Sequence, residues 1–150
     1  MSVVLADTGP IVAFLNRRDR HHAWAVERLQ TLRPPLLTCE SVLSEAVFLL
    51  GAEGGGGERV MELVRRGVLR VSFDLQTESA AVEALLRRYR SVRMDLADAC
   101  VVRMSEQHAD CTVLTVDSEF RDVYRRHGRQ VIPALLPERT TRRRGRPRRA

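Results

Sequence analysis

The stretch that decides the fold lies at the start of the chain, where residues 2–10 read Ser-Val-Val-Leu-Ala-Asp-Thr-Gly-Pro. The apolar, β-branched first half is typical of a buried strand, and the Asp-Thr-Gly-Pro that follows is typical of a turn or a helix start. Asp7 is therefore predicted at the C-terminal tip of the first strand. Thr8 is a candidate N-cap for a short helix ending near Leu15, with Pro10 in its first turn.

Beyond this opening, the chain alternates between short apolar runs and helical patterns. The predicted strands cover 2–6, 36–39, 68–73, 112–116 and 130–132, and the later helices cover 21–32, 40–50, 58–66, 77–89, 94–107 and 118–127. Because strands and helices alternate without hairpin signals, the pattern predicts an α/β fold with a central parallel sheet flanked by helices. The glycine run Gly54–Gly57 is predicted to be a flexible loop.

Composition predicts one globular domain with an unusual C-terminal segment. The 150 residues are 44% hydrophobic and 29% charged, with a net charge of +6. Seven of the 25 basic residues, all arginines, lie in 139–150, so residues 1–138 carry a net charge of −1. Nothing after Pro137 is suited to packing in a core. We therefore expect a folded domain over 1–137 and an Arg-rich disordered tail over 138–150.

The predicted tail offers a set of candidate RNA-binding residues, namely Arg142, Arg143, Arg144, Arg146, Arg148 and Arg149. Three interpretations stay open: a solvated terminus, an arm that contacts RNA phosphates, or a segment that contacts a partner protein or covers the chain's own acidic pocket. The segment contains no aromatic residue, so base stacking by the tail is not expected.

Several classes of protein are disfavoured by the sequence. The longest stretch without a charged residue, 8–16, has nine residues, against about 20 for a membrane span, and no export signal is evident. A cytoplasmic location is expected. Cys39, Cys100 and Cys111 are odd in number and lack Cys-x-x-Cys spacing, so we predict buried thiols. A chain without lysine has no phosphate-binding loop of the usual kind.

Four acidic residues are predicted at positions where a parallel sheet binds ligands. Asp7 and Asp117 follow strands, Asp98 lies in the first turn of a helix, and Glu45 lies in the helix after the second strand. Such sheets bind ligands at the carboxyl ends of their strands. Clustered carboxylates repel one another unless a cation is bound, and oxygen ligands favour Mg²⁺ or Mn²⁺ over Zn²⁺. Ions of this kind support phosphodiester cleavage.

Each acid also has a structural interpretation. Asp95 could be a helix N-cap with Asp98 at the third helical position, Asp117 could cap the next helix, Asp7 could close a turn, and Glu45 could face solvent. In the helix over 21–32 we expect Trp24 to belong to the core rather than to form a stacking platform, and we assign no metal or catalytic role to the histidines before it.

The ordered set of motifs resembles PIN-domain nucleases over about residues 3–133. The resemblance rests on Ala-Asp-Thr-Gly-Pro-Ile-Val-Ala at 6–13, Glu45, Asp-Leu-Ala-Asp-Ala at 95–99, and Leu-Thr-Val-Asp-Ser-Glu-Phe at 114–120. Within that family the chain is most similar to the VapC-type toxins of bacterial toxin–antitoxin pairs. The resemblance implies a three-layer α/β/α domain with a central parallel sheet.

The resemblance also implies a site and a function. Asp7, Glu45, Asp98 and Asp117 would be the catalytic, metal-binding acids, with Asp95 as an additional candidate ligand. Thr8 and Thr115 would orient carboxylates or water. The implied activity is a Mg²⁺- or Mn²⁺-dependent endoribonuclease, a toxin paired with an antitoxin protein and forming a homodimer. The alternatives are a noncatalytic RNA-binding or regulatory module and a housekeeping RNA-processing nuclease.

Overall fold

The computed structural model describes residues 2–52 and 54–138. The predicted Arg-rich segment therefore lies outside the described residues, except for Glu138. This includes the six candidate RNA-binding arginines, Arg142, Arg143, Arg144, Arg146, Arg148 and Arg149.

The centre of the fold is a five-stranded sheet in which every neighbouring pair of strands is parallel. Its strands are β1 (Val3–Ala6), β2 (Leu36–Thr38), β3 (Leu69–Val71), β4 (Cys111–Leu114) and β7 (Ala134–Leu135), in the order β3-β2-β1-β4-β7. The first strand is therefore central, with β2 and β4 on either side. A central parallel strand is covered on both faces, which is why its sequence is a continuous apolar run.

Helices cover both faces of the sheet and complete the predicted three-layer α/β/α arrangement. They are α1 (Thr8–Leu15), α2 (His22–Thr31), α3 (Glu40–Leu50), α4 (Gly56–Arg65), α5 (Leu75–Arg88), α6 (Leu96–Gln107) and the single turn α7 (Glu119–Asp122), with a 3₁₀ turn at Arg90–Val92. One group packs around α1 and α3, and α5 packs on α6. None of the described helices has the length and apolar character needed to cross a membrane.

The core is built from strand and helix residues that are almost fully buried. Leu5, Val113 and Leu114 come from the sheet, and Val101 and Met104 come from α6. The three cysteines, Cys39, Cys100 and Cys111, are buried free thiols, as predicted. The buried strands thus place their last residues at one common edge of the sheet.

The predicted helix over 118–127 is wrong beyond its first turn. After α7 the chain forms a short antiparallel hairpin of β5 (Arg125–Arg126) and β6 (Gln130–Val131). The turn between them has positive φ at His127 (52°) and Gly128 (79°), which a helix does not allow. The predicted strand over 130–132 consequently pairs with β5, and β7 takes the place beside β4.

The glycine run is a tight turn and a helix start rather than a loop throughout. Gly54 and Gly55 have φ of 73° and 70°, and Gly56 and Gly57 are the first residues of α4. Gly56 is buried, and a Cβ there would lie 2.6 Å from the Cβ of Leu50. The close contact between the end of α3 and the start of α4 therefore requires glycine at this position.

The prediction that Trp24 is a core residue is correct only in part. In α2 only Ala25 is fully buried. Trp24 is half-buried, packs against the core and also lines a surface cleft. The ring of His22 bonds the carbonyl oxygen of Ala13 at 2.8 Å, which attaches the start of α2 to α1.

Candidate active site

The ends of β1 and β4 bring Asp7 and Thr115 together. The two strands pair in register, with Ala6 opposite Leu114, so the residues that follow them are neighbours. The Thr115 hydroxyl donates to Oδ2 of Asp7 at 2.7 Å and accepts from the backbone N–H of Asp117 at 2.9 Å. Thr115, itself fully buried, thereby connects the Asp7 carboxylate to the loop that carries Asp117.

A glycine allows the first turn of α1 to lie against this loop. A Cβ on Gly9 would overlap the side chain of Val116. Any larger residue at position 9 would have to displace Val116, which lies between Thr115 and Asp117. The Gly in the Asp-Thr-Gly-Pro motif is thus required by packing at the site.

Glu45 reaches the same region from α3. The Thr8 hydroxyl donates to Oε2 of Glu45 at 3.1 Å, and the Glu45 residue is partly buried. Thr8 is the first residue of α1 and Asp7 occupies the N-cap position, one residue earlier than predicted. The Thr8 hydroxyl is therefore directed to a carboxylate rather than to the helix backbone.

Asp98 and Asp95 are joined by a capping box at the start of α6. The backbone N–H of Asp98 donates to Oδ1 of Asp95 at 2.7 Å, and the backbone N–H of Asp95 donates to Oδ2 of Asp98 at 3.4 Å. The structural interpretation of Asp95 as an N-cap therefore accounts for its contacts.

Sequence reasoning missed two residues beside Asp98. The hydroxyl oxygen of Tyr124, a fully buried residue, lies 3.1 Å from Oδ2 of Asp98 and 2.9 Å from Oε2 of Glu119. A phenol has one hydrogen, so it can donate to one carboxylate at a time, and the other bond requires a protonated carboxyl group. Glu119 lies two residues after Asp117, but nothing in the sequence pattern indicated that Tyr124 would meet either acid.

Comparison with known protein families gives a match that covers all of the acids described above. The PIN domain family matches residues 4–126. The chain belongs to the PIN-domain family. PIN domains are generally nucleases and typically use divalent metal ions. No curated protein matches the chain.

Burial, and then repulsion between neighbouring carboxylates, raises the pKa values of the acids of this PIN domain. Burial raises the pKa of Asp7 to about 6, and the neighbouring charges of Asp117 and Glu45 add to the rise, against hydrogen bonds from Thr115 and from the backbone of Thr8. Glu45 and Asp117 also have raised pKa values, chiefly because of burial. The carboxylates therefore share a region of uncompensated negative charge.

Asp98 has the largest rise among these acids. Burial first, and then the charges of Asp95 and Asp7, raise its pKa to about 8, although hydrogen bonds from the Asp95 backbone and Tyr124 oppose the rise. A neutral Asp98 can donate to the Tyr124 oxygen while Tyr124 donates to Glu119. Without a cation, the arrangement therefore favours a proton on Asp98.

No cationic side chain compensates these acids within the described residues. In the ranges 2–52 and 54–138, no arginine or histidine forms an ion pair with Asp7, Glu45, Asp95, Asp98 or Asp117. In the same ranges, no three acidic, histidine or cysteine side chains are grouped closely enough to hold a metal ion. The donor set, carboxylate and hydroxyl oxygens, suits Mg²⁺ or Mn²⁺. The assignment of individual metal ligands stays a prediction.

Proposed function

We propose that this PIN domain is a metal-dependent endoribonuclease that uses Asp7, Glu45, Asp98 and Asp117 to bind Mg²⁺ or Mn²⁺. The observation that carries the proposal is that Asp7 interacts electrostatically with each of the other three acids at the carboxyl edge of the sheet. Among the described residues, no cationic side chain pairs with any of the four. Such an arrangement costs folding free energy in the absence of a cation. It is explained if a divalent ion is bound during function.

The polar neighbours of the acids have distinct parts in this proposal. When bound, a divalent cation supplies an activated water and neutralises charge on the phosphate. Thr115 holds the Asp7 carboxylate, and Thr8 holds that of Glu45. Tyr124 holds Asp98 through the hydrogen bond between its hydroxyl group and Oδ2 of Asp98. Asp95 serves as the cap of α6 and stays an additional candidate ligand.

The biological context of the proposal comes from the sequence motifs. Their similarity to VapC-type toxins supports a role as the toxin of a toxin–antitoxin pair, acting on RNA in the cytoplasm. The proposed partners are an antitoxin protein and a second copy of the chain. An antitoxin that supplied an arginine to the acidic edge would provide the compensating charge that the described residues lack.

The proposal is tested by cleavage of single-stranded RNA with and without divalent cations. We expect the wild-type protein to cut in Mg²⁺ or Mn²⁺ and to stop when a chelator is added. Asp7→Asn keeps the size of the side chain and the acceptor for Thr115 but removes the charge. It should reduce the cleavage rate by about a thousandfold or more, which corresponds to about 4 kcal/mol of transition-state stabilisation.

The matched control is Glu83→Gln, which neutralises an exposed acid on α5 that pairs with Arg87. This variant should cut RNA at the wild-type rate. Equal cleavage by the wild-type and Asp7→Asn proteins would remove Asp7 from the mechanism. RNA binding without metal-dependent cleavage by the wild-type protein would favour the noncatalytic alternative.

A further inference from the structure

A cleft of about 760 Å³ adjoins the acidic edge and takes no part in the function described so far. Arg20, Trp24 and Arg28 line it from α2 and the turn before it, and Val116 and Ser118 line it from the segment after β4. Its volume falls within the usual range for small-ligand pockets. The cleft is therefore large enough to accommodate a nucleotide.

The aromatic wall of the cleft is held in a defined orientation. The rings of His21 and Trp24 meet edge to face, with centroids 6.4 Å apart, and Nε of Arg20 donates to Nε2 of His21 at 3.1 Å. The backbone N–H of His21 donates to Asp19 at 2.8 Å, which fixes the turn before α2. An ordered indole beside a cation is the combination that stacks nucleobases in single-strand binding proteins.

The cationic residues of the cleft differ in their partners. Arg121 is engaged by both carboxylate oxygens of Asp122. Arg28, in contrast, forms no ion pair among residues 2–52 and 54–138, and its buried Nε has no acceptor there. Two glutamates, Glu27 and Glu138, also line the cleft. Arg20 and Arg28 are thus the side chains best placed to receive a phosphate.

The position of the cleft relates it to the proposed reaction. Val116 and Ser118 line the cleft, and Asp117 between them belongs to the acidic edge. A nucleic-acid strand lying across this segment would place one nucleotide in the cleft and an adjacent phosphate at the acids. The acidic edge repels phosphate in the absence of a metal ion, so binding energy from a neighbouring cationic site would help to hold the strand there.

We propose that this cleft binds one nucleotide of a single-stranded RNA next to the phosphate to be cleaved. The base stacks on Trp24, and the phosphate contacts Arg20 and Arg28. The proposal rests on the proposed nuclease function for the identity of the strand. It adds a substrate-binding subsite that explains how a sheet edge with excess negative charge holds a polyanion.

The test uses the fact that Trp24 is the single tryptophan of the chain, so its fluorescence reports directly on the cleft. A short single-stranded oligoribonucleotide is titrated into the full-length protein in the presence of a chelator, so that no metal-dependent cleavage occurs. We expect quenching of Trp24 fluorescence. Arg20→Gln and Arg28→Gln should each weaken binding about tenfold and reduce the salt dependence of the affinity by about one phosphate contact.

Controls separate this proposal from others. Arg66→Gln removes an exposed arginine just after α4 that pairs with Glu62, and this variant should bind RNA like the wild type. Ribose 5-phosphate, which lacks a base, should quench Trp24 much less than adenosine 5′-monophosphate. An unchanged affinity in both Arg20→Gln and Arg28→Gln, or no quenching by RNA, would overturn the proposal. These assays contain no divalent metal and do not depend on cleavage. Quenching of Trp24 by RNA, in the wild type or in Asp7→Asn, would therefore support nucleotide binding in the cleft even if the nuclease proposal failed.

Discussion

Two groups of acidic residues in this molecule are compensated in opposite ways. On the α5–α6 side, Arg103 donates to Glu78 at 2.8 Å and contacts Glu106 at 3.4 Å. Glu78 also accepts from Gln107 at 2.8 Å. At the carboxyl edge of the sheet, Asp7 and its neighbours receive hydrogen bonds from hydroxyl and backbone groups but form no ion pair with the described residues.

The difference indicates which acids serve the fold and which serve the proposed chemistry. A paired carboxylate stabilises the folded state or costs it little, whereas buried carboxylates that repel one another without a cation destabilise it. The Arg103 group should therefore matter for stability and not for metal binding. The acids of the sheet edge should be needed for metal binding and should lower the stability of the metal-free protein.

The largest expected effect is a pH-dependent stabilisation by Asp7→Asn. The pKa of Asp7 is about 6 in the folded protein, above its ordinary value of 3.8. Between these two values the folded protein binds more protons than the unfolded chain. The stability that protonated Asp7 contributes is therefore lost as the pH rises through 6. Without metal, the free energy of unfolding of Asp7→Asn should exceed that of the wild type by an amount that grows to about 3 kcal/mol between pH 4 and pH 7. Urea unfolding measures this difference.

The opposite sign is expected for Asp74→Asn, which serves as the control for this measurement. Hydrogen bonds from the Thr77 hydroxyl and backbone lower the pKa of Asp74. Its contribution to stability is therefore present above the unfolded pKa and lost in acid. Asp74→Asn should be less stable than the wild type at neutral pH, with a smaller difference in acid. The same pH trend in both variants would contradict the interpretation of Asp7.

The next effect is the loss of the paired group. Arg103→Met keeps the aliphatic part of the side chain but leaves Glu78 and Glu106 without their cation, and should lower the free energy of unfolding by about 2 kcal/mol. Arg87→Met breaks an exposed pair with Glu83 and should cost less than about 0.5 kcal/mol. Divalent-metal binding, measured by calorimetry, should not change in Arg103→Met. A loss of metal binding would mean that the two groups are coupled.

Added divalent cation should stabilise the wild-type protein by mass action. At a concentration about ten times the dissociation constant, Mn²⁺ should raise the free energy of unfolding by about 1.4 kcal/mol. Asp98→Asn should lose most of this increment because one carboxylate of the edge is neutralised. Thermal unfolding with and without Mn²⁺ measures the effect, and equal stabilisation of both proteins would place the ion elsewhere.

The smallest effect is expected for Asp95→Asn, which distinguishes a cap from a ligand. An asparagine retains the oxygen that accepts from the Asp98 backbone, and asparagine caps helices about as well as aspartate. Stability should change by less than about 0.5 kcal/mol, and metal-dependent cleavage should stay close to the wild-type rate. A loss of cleavage as large as that of Asp7→Asn would make Asp95 a ligand.

The sequence predicted the parts of the fold that depend on local pattern. The alternation of strands and helices without hairpin signals correctly indicated a parallel sheet, and the spacing of Asp95 and Asp98 correctly indicated a capped helix. The approach of Thr115 to Asp7 follows from the pairing of β1 with β4. Such an approach can be expected once the strand order is known, but its distances cannot be read from the pattern.

The region after Asp117 could not be predicted because tertiary contacts override its helical spacing. The backbone N–H of Arg125 donates to the Tyr89 hydroxyl, and the Arg126 guanidinium contacts the carbonyl oxygens of His108 and Ala109. These bonds support the hairpin in place of a longer helix. A signal for the cleft was present, since Arg20, Trp24 and Arg28 are spaced four residues apart, as on one helical face.

The hydrogen bond between Thr115 and Asp7 joins residues 108 positions apart, and this has a consequence for synthesis of the chain. When Asp7 leaves the ribosome, neither Thr115 nor β4 has yet been made, so the acidic edge cannot assemble until most of the protein has been translated. A product that ends before Thr115 lacks this bond and the central strand pair. If the protein is toxic, as we propose, prematurely terminated chains would be harmless to the cell that makes them.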